Sequence, residues 1–245
     1  LCDWKISSLI NGEYYCKMIA DLMREAVEKV AASAPGLQKR EPAAIAGLTE
    51  ALILSGVAMS FAGNSRPASG SEHHLSHFWE MRFLRERRRP LLHGTKVGVG
   101  TVLSIRMAEK LLDTPVDFEK AAEHAKNFDR EKWAELVKKG YGPAAEGVFA
   151  LERTAKKNDP AEHAKRLTVI QSRWEELKAV MRENLPSSEK VMELLRTLGG
   201  PVSPEEIGVE PSLVKEAVLL AKELRNRYTI LQLLWDLGLL EEFAG

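Results

Sequence analysis

An excess of charge of either sign is missing from this chain, in which 35 Lys and Arg balance 35 Asp and Glu. No global field draws it to nucleic acid or to an anionic membrane. Cysteine is scarce, with only Cys2 and Cys16 among 245 residues. A disulfide scaffold is unnecessary at this length, so a reducing cytoplasm is the expected setting. No apolar run reads as a bilayer span, and no signal peptide opens the chain. Strands of alternating pattern, a GxGxxG segment, a P-loop and internal repeats are also lacking. The chain is therefore expected to hold no dinucleotide-binding residues of its own.

What is present is helical periodicity and ordinary globular composition, with 44% hydrophobic residues, 17 Gly and 11 Pro. The opening Leu1-Cys2-Asp3-Trp4-Lys5 has no methionine and no polar lead-in, and reads as the interior of a longer polypeptide. Met18, Ile19, Leu22, Met23, Ala26, Val27 and Val30 follow three-and-four spacing, which predicts a helix stopped by Pro35-Gly36. Pro42 opens a second helix through Leu48, Leu52 and Ile53 toward Met59, since a first-turn proline gives up no hydrogen bond. After the loop Ala62 to Gly70, helical pattern resumes from Ser71 to about Arg87. A further helix follows His93-Gly94 and runs through Ile105 and Leu112.

Helix starts are expected at Thr114-Pro115-Val116-Asp117, at Asp159-Pro160, at Ser187-Ser188-Glu189 and at Ser203-Pro204-Glu205-Glu206. Pro211-Ser212 opens a charged helix to about Tyr228. The leucine-rich tail from Tyr228 to Leu240 is expected to pack into the core. The basic run Arg82 to Pro90 is short and reads as a solvated helix end.

Four of the six histidines lie between positions 73 and 93. His73 and His77 are four apart and share a helix face. His74 is turned from His73 by about 100°. A pair spaced this way suits half of a metal site, because neutral imidazole binds zinc, nickel and iron well. A solvated histidine-rich helix beside the arginines is the alternative reading. The segment Gly63 to Gly70 leads into a helix N-terminus, where backbone N–H groups favour anions and Arg66 offers a fork for a phosphate. An ordinary interhelical loop explains the same residues. His124 and His163 lie in charged stretches and are expected at the surface.

The block Ser65-Arg66-Pro67-Ala68-Ser69-Gly70-Ser71-Glu72-His73, with His77, resembles the signature of the sn-glycerol-1-phosphate dehydrogenases. That family lies within the iron-alcohol-dehydrogenase and dehydroquinate-synthase-like superfamily. His93 to Thr101 (HGTKVGVGT) resembles its second histidine block. Asp3-Trp4-Lys5-Ile6-Ser7 with Glu13-Tyr14-Tyr15-Cys16, and the tail from Arg227-Tyr228-Thr229-Ile230, are similar to further segments of it.

The resemblance implies a mainly α, multi-helix C-terminal domain, with the α/β nucleotide-binding domain outside the chain. Residues 1–113 then form the metal-site half of a helical metal- and substrate-binding domain, and 114–245 a helical extension. It implies a divalent metal (zinc, nickel or iron) held by His73, His93 and an aspartate that this sequence does not contain. It also implies a substrate role for His77, NAD or NADP bound by the missing half, a small phosphorylated substrate and a homodimer. The implied reaction interconverts dihydroxyacetone phosphate and sn-glycerol 1-phosphate, which feeds lipid synthesis. The chain alone is expected to be inactive. A sister glycerol dehydrogenase and a non-catalytic helical scaffold are the rival readings, and the Ser-Arg-Pro-Ala-Ser-Gly block argues against the first.

Overall fold

A computed structural model describes residues 1–245 and contains fourteen α-helices and no strand. The fold is mainly α, as expected. The first five helices are α1 (Cys2–Asn11), α2 (Lys17–Gln38), α3 (Pro42–Ala62), α4 (Ser71–Arg85) and α5 (His93–Asp113). Then come α6 (Phe118–Lys126), α7 (Arg130–Tyr141), α8 (Ala145–Ala155), α9 (Pro160–Ser172) and α10 (Trp174–Asn184). The chain closes with α11 (Ser188–Thr197), α12 (Pro211–Leu220), α13 (Ile230–Asp236) and α14 (Leu240–Ala244).

Capping explains several starts. The Asp117, Asp129 and Asp159 carboxylates each accept from two backbone N–H groups of the following turn, and Ser187 accepts from Lys190. These donors have no partner within their own helix, so each cap stabilises its start by about 1 kcal/mol. Ser203-Pro204 yields only a single 3-10 turn, Glu205–Ile207. The helix opened by Pro211 stops at Leu220 and tightens into a 3-10 turn rather than reaching Tyr228. Side chains take the carbonyls here: the Tyr141 hydroxyl donates to that of Leu220 at 2.7 Å, and the buried Lys157 ammonium donates to those of Lys222 and Arg225. Pro35 does not end α2, which continues to Gln38. One lost hydrogen bond is offset by packing, because Gly36 lies against α3 where a Cβ would stand 2.7 Å from the Ala44 Cβ.

The main core gathers one face of α4 (Leu75, Phe78, Trp79) with Val99, Met107 and Leu111 of α5, Ile170, Leu177 and the whole of α13. Each large apolar side chain so buried stabilises by about 1.5–3 kcal/mol. The leucine-rich tail thus packs into the core, as the sequence suggested. His163 is buried, not superficial, with Nε2 2.8 Å from the Asp236 carbonyl. His124 is half-buried with its ring against Trp235. Their charged neighbours occupy only the outer faces of those helices, which local composition does not reveal.

A smaller core of Trp4, Ile19, Ala20, Met23 and Ala58 ties α1 to the α2–α3 hairpin. Helix α3 buries only Ala44, Ala51 and Ala58, one heptad apart, and leaves Ile45, Leu52, Ile53 and Phe61 exposed. By length and composition α3 is, against expectation, apolar enough to cross a membrane, with mean hydropathy 1.7. Its antiparallel partner α2 carries Asp21, Arg24, Glu25 and Lys29, and Lys29 bonds to Glu50 of α3 itself at 2.6 Å. Charges along that length oppose burial of the hairpin in hydrocarbon.

Candidate functional site

Two helices build the site. α4 and α5 pack closely, and Gly100 sets their approach: a Cβ there would stand 2.7 Å from the Glu72 carbonyl oxygen. The first turn of α5 thereby meets the middle of α4. His93, the first residue of α5, comes to lie beside His77 and His73. Ring centroids are 5.2 Å apart for His73–His93, 5.1 Å for His77–His93 and 6.3 Å for His73–His77. All three sequence-selected histidines therefore converge. His74 does not join them; it is fully buried on the other side of α4, and neither ring nitrogen has a partner.

Carboxylates orient two of these rings. His73 Nδ1 lies 2.8 Å from Glu72 Oε1, and His77 Nδ1 lies 3.4 Å from Glu80 Oε2. An ionised carboxylate only accepts, so each Nδ1 carries the proton and each Nε2 keeps a lone pair for a Lewis acid. Glu80 also stands 3.7 Å from the Lys96 ammonium, which is itself buried and donates to the Leu91 carbonyl at 2.8 Å. Lys96 thus secures both the turn before His93 and the carboxylate beside His77. Glu72, Glu80 and Lys96 escaped the sequence reading. The available signal was spacing: Glu72 precedes His73, Glu80 follows His77 by three on the same face, and Lys96 follows His93 by three.

The electrostatics favour neutral imidazole. Burial pushes the His77 pKa down, against the opposing pull of Glu80, and the Arg225 and His93 charges push the same way as burial. Burial and then the His73 charge lower His93. Burial alone would raise the Glu72 carboxyl, but hydrogen bonds from His73 and the Gly70 N–H hold it below the ordinary range. Neutral imidazoles with free Nε2 lone pairs beside a carboxylate are the ligand types that zinc, nickel and iron take. Donor atoms of His77, Glu80 and His93 lie within 4.8 Å of one another, a grouping compact enough to share one ion. The residues present fit a divalent metal.

The loop before α4 takes the second of its two readings, an interhelical loop rather than an anion cradle. Arg66 is buried and holds structural partners through two of its nitrogens: Nε bonds to Glu13 at 3.0 Å, and Nη2 donates to the carbonyls of Asp3 (3.0 Å) and Tyr228 (2.5 Å). The N-terminus of α4 already has its anion. Asp3 Oδ2 accepts from the Ser71 N–H at 2.7 Å, and Glu72 Oε1 accepts from Gly70 at 2.7 Å. Gly70 is required by this crowding, since a Cβ would stand 2.6 Å from Asp3 Oδ2 and 2.9 Å from Glu72 Oε2. Asp3 is thus a structural clasp between α1, α4 and the start of α13, where Oδ1 accepts from Ile230 at 2.7 Å.

No family model matches the chain. Among curated proteins, one of Geobacillus stearothermophilus named glycerol-1-phosphate dehydrogenase [NAD(P)+] is 33% identical over 248 residues, covering 98% of this chain and 51% of that protein. A protein of the same name from Bacillus licheniformis is 32% identical over 245 residues, covering 100% of this chain and 48% of its own. Another from Pyrococcus horikoshii is 40% identical over 101 residues, covering 41% of this chain and 28% of its own. The chain spans about half the length of the first two relatives.

Proposed function

The chain is a relative of the glycerol-1-phosphate dehydrogenases, matched across nearly all of its own length and about half of theirs, and on that premise we propose that it forms their metal- and substrate-holding helical half. In this reading His73 and His93 are ligands of a divalent metal, completed by an aspartate from outside the chain, and His77 binds substrate. The reaction interconverts dihydroxyacetone phosphate and sn-glycerol 1-phosphate with NAD or NADP, which the remainder of the protein binds. When bound, the metal supplies Lewis acidity at the substrate oxygen.

The observation that carries the reading is the meeting of His73, His77 and His93, with centroids 5.1–6.3 Å apart, at the point where α5 crosses α4. Each side chain then has a separable task. Glu72 holds the His73 ring so that Nε2 faces the metal. Glu80 does the same for His77, whose Nε2 remains free to accept from a substrate hydroxyl. Lys96 keeps Glu80 in place.

One observation favours a second arrangement: the donor atoms of His77, Glu80 and His93 form the tight group, within 4.8 Å. There the metal would rest on His77 and Glu80 with His93. Zinc titration calorimetry of the chain and four variants separates the two. The first reading expects His73→Ala and His93→Ala to weaken binding by about tenfold or more, with His77→Ala and Glu80→Gln near wild type. Loss of binding in His77→Ala and Glu80→Gln, with His73→Ala unaffected, would establish the second.

A further inference from the structure

Helix α3 carries a single charged residue, Glu50, in its 21. A soluble helix that is apolar all round is ordinarily covered all round. The inner side of α3 obeys that rule: Ala44, Ala51 and Ala58 are buried at seven-residue intervals, Ala44 close against Gly36 of α2. The outer side is bare. Phe61 is 73% exposed, Leu52 64% and Ile53 62%, and the main neighbours of the helix are α2 and the turn Arg66–Ala68. At 100° per residue Ile53 points roughly 140–180° away from the three alanines.

Along this outer side Ala46, Thr49, Ile53, Gly56 and Ser60 follow alternating steps of three and four, and all five are exposed. That is the spacing of a seam between paired helices. Gly56 adds a separate observation. Its added Cβ would meet nothing within 4 Å, and glycine inside a helix is destabilising relative to alanine. No contact within one copy calls for a glycine there. A second helix laid along the seam does, because a residue without a side chain lets another chain approach the backbone closely.

Charge selects the occupant. Residues 17–62 hold five cationic and five anionic side chains, so the hairpin has no net charge to draw an anionic bilayer or a strongly charged partner. An uncharged face meets a copy of itself without repulsion, and a two-fold interface uses one patch on both copies. The outer side of α3 is self-complementary about Ile53. Antiparallel pairing centred there sets Ile45 opposite Phe61, Thr49 opposite Val57 and Ala46 opposite Ser60. The only charged residue, Glu50, falls opposite Gly56, the one position with no side chain to oppose it. The area also suffices. Two helices side by side, α3 being about 31 Å long and the pair about 20 Å wide, present a face on the order of 600 Å². A stable interface buries roughly 800 Å² of accessible surface per partner.

We propose that the outer face of α3 is a docking seam for a second copy of this chain, packed antiparallel with the two-fold axis at Ile53, so that two α2–α3 hairpins join as a four-helix bundle. The homodimer implied by the resemblance names no surface; the outer side of α3 supplies one, independently of what the three histidines bind.

Sedimentation equilibrium of the chain across a dilution series tests the seam. The wild type is expected at twice 27.3 kDa. Ile53→Asp and Gly56→Leu are each expected to halve that mass while the helical circular dichroism stays unchanged, since both positions are exposed. Leu84→Asp, equally exposed but on α4, is expected to leave the dimer intact. Cross-linking reads the geometry without disturbing the fold. Ile53→Cys is expected to form a disulfide-linked dimer under copper-phenanthroline oxidation, and Ala46→Cys to link with Ser60→Cys on mixing. The wild type, whose Cys2 is buried, gives the background from Cys16. A wild type that is monomeric at every concentration, a dimer indifferent to Ile53→Asp, or an Ile53→Cys chain no more cross-linked than wild type overturns the seam. Co-sedimentation with phosphatidylglycerol vesicles that Ile53→Asp abolishes would also overturn it, and give the face to a bilayer.

Discussion

His77 lies against His93 with ring centroids 5.1 Å apart and planes only 29° from parallel. These residues sit on different helices, with a basic turn and Pro90 between them in the chain. Their meeting depends on how α5 returns across α4, and hence on Gly100 and Lys96.

Gly100→Ala should therefore damage both stability and site. The new Cβ would meet a backbone carbonyl oxygen at 2.7 Å, which cannot rotate away. We expect a loss of about 1–3 kcal/mol, the usual range for overpacking, and weaker zinc binding because His93 moves with α5. Urea denaturation and zinc calorimetry on the variant check both. A wild-type denaturation midpoint would show that the helices can separate without cost.

Asp3→Asn probes the clasp. Each carboxylate oxygen of Asp3 accepts a backbone N–H, at 2.7 Å from Ser71 and 2.7 Å from Ile230. An amide can accept at only one of these and turns a donor toward the other. Stability should fall by about 1–3 kcal/mol, seen as a lower denaturation midpoint with an unchanged slope.

The buried Lys157 gives a pH dependence with a definite sign. Burial pushes its pKa down from 10.5 to about 8. Between those values the unfolded chain holds a proton that the folded chain lacks. Folding is therefore favoured as pH rises through that window, with a slope of at most about 1.4 kcal/mol per pH unit. The stability of wild type relative to Lys157→Met should rise between pH 8 and pH 10. Parallel stability curves for the two proteins would show that Lys157 does not titrate in this range.

By itself the 245-residue chain should bind zinc weakly and show no hydride transfer from NADH or NADPH to dihydroxyacetone phosphate. Nanomolar zinc binding indifferent to His93→Ala would contradict this. In a protein of the relatives' full length, His77→Ala should impair substrate use while leaving metal content near normal. Loss of metal from that variant would make His77 a ligand.

Much of this protein was legible along the chain. Helical period found α2 to α5, aspartate before proline found α9, and the Ser65–His77 block with His93 pointed to the three residues that converge. These are local properties: a helix repeats every 3.6 residues, so His73 and His77 share a face wherever the helix lies. Arg66 shows the limit of that reasoning. Its sequence setting allowed a phosphate ligand or an ordinary loop, and Glu13, Asp3 and Tyr228 take its Nε and Nη2 donors, partners distant in sequence. His163 errs the same way, since charged neighbours say nothing about which side of a helix meets the core. Only tertiary structure could bring His93 to α4, set Lys96 against Glu80 and stitch the Arg225–Thr229 loop to Ser65. Sequence period fixes the direction of a side chain within its helix, whereas the choice of partner depends on how the helices cross, and that is decided by close contacts such as Gly100 against Glu72.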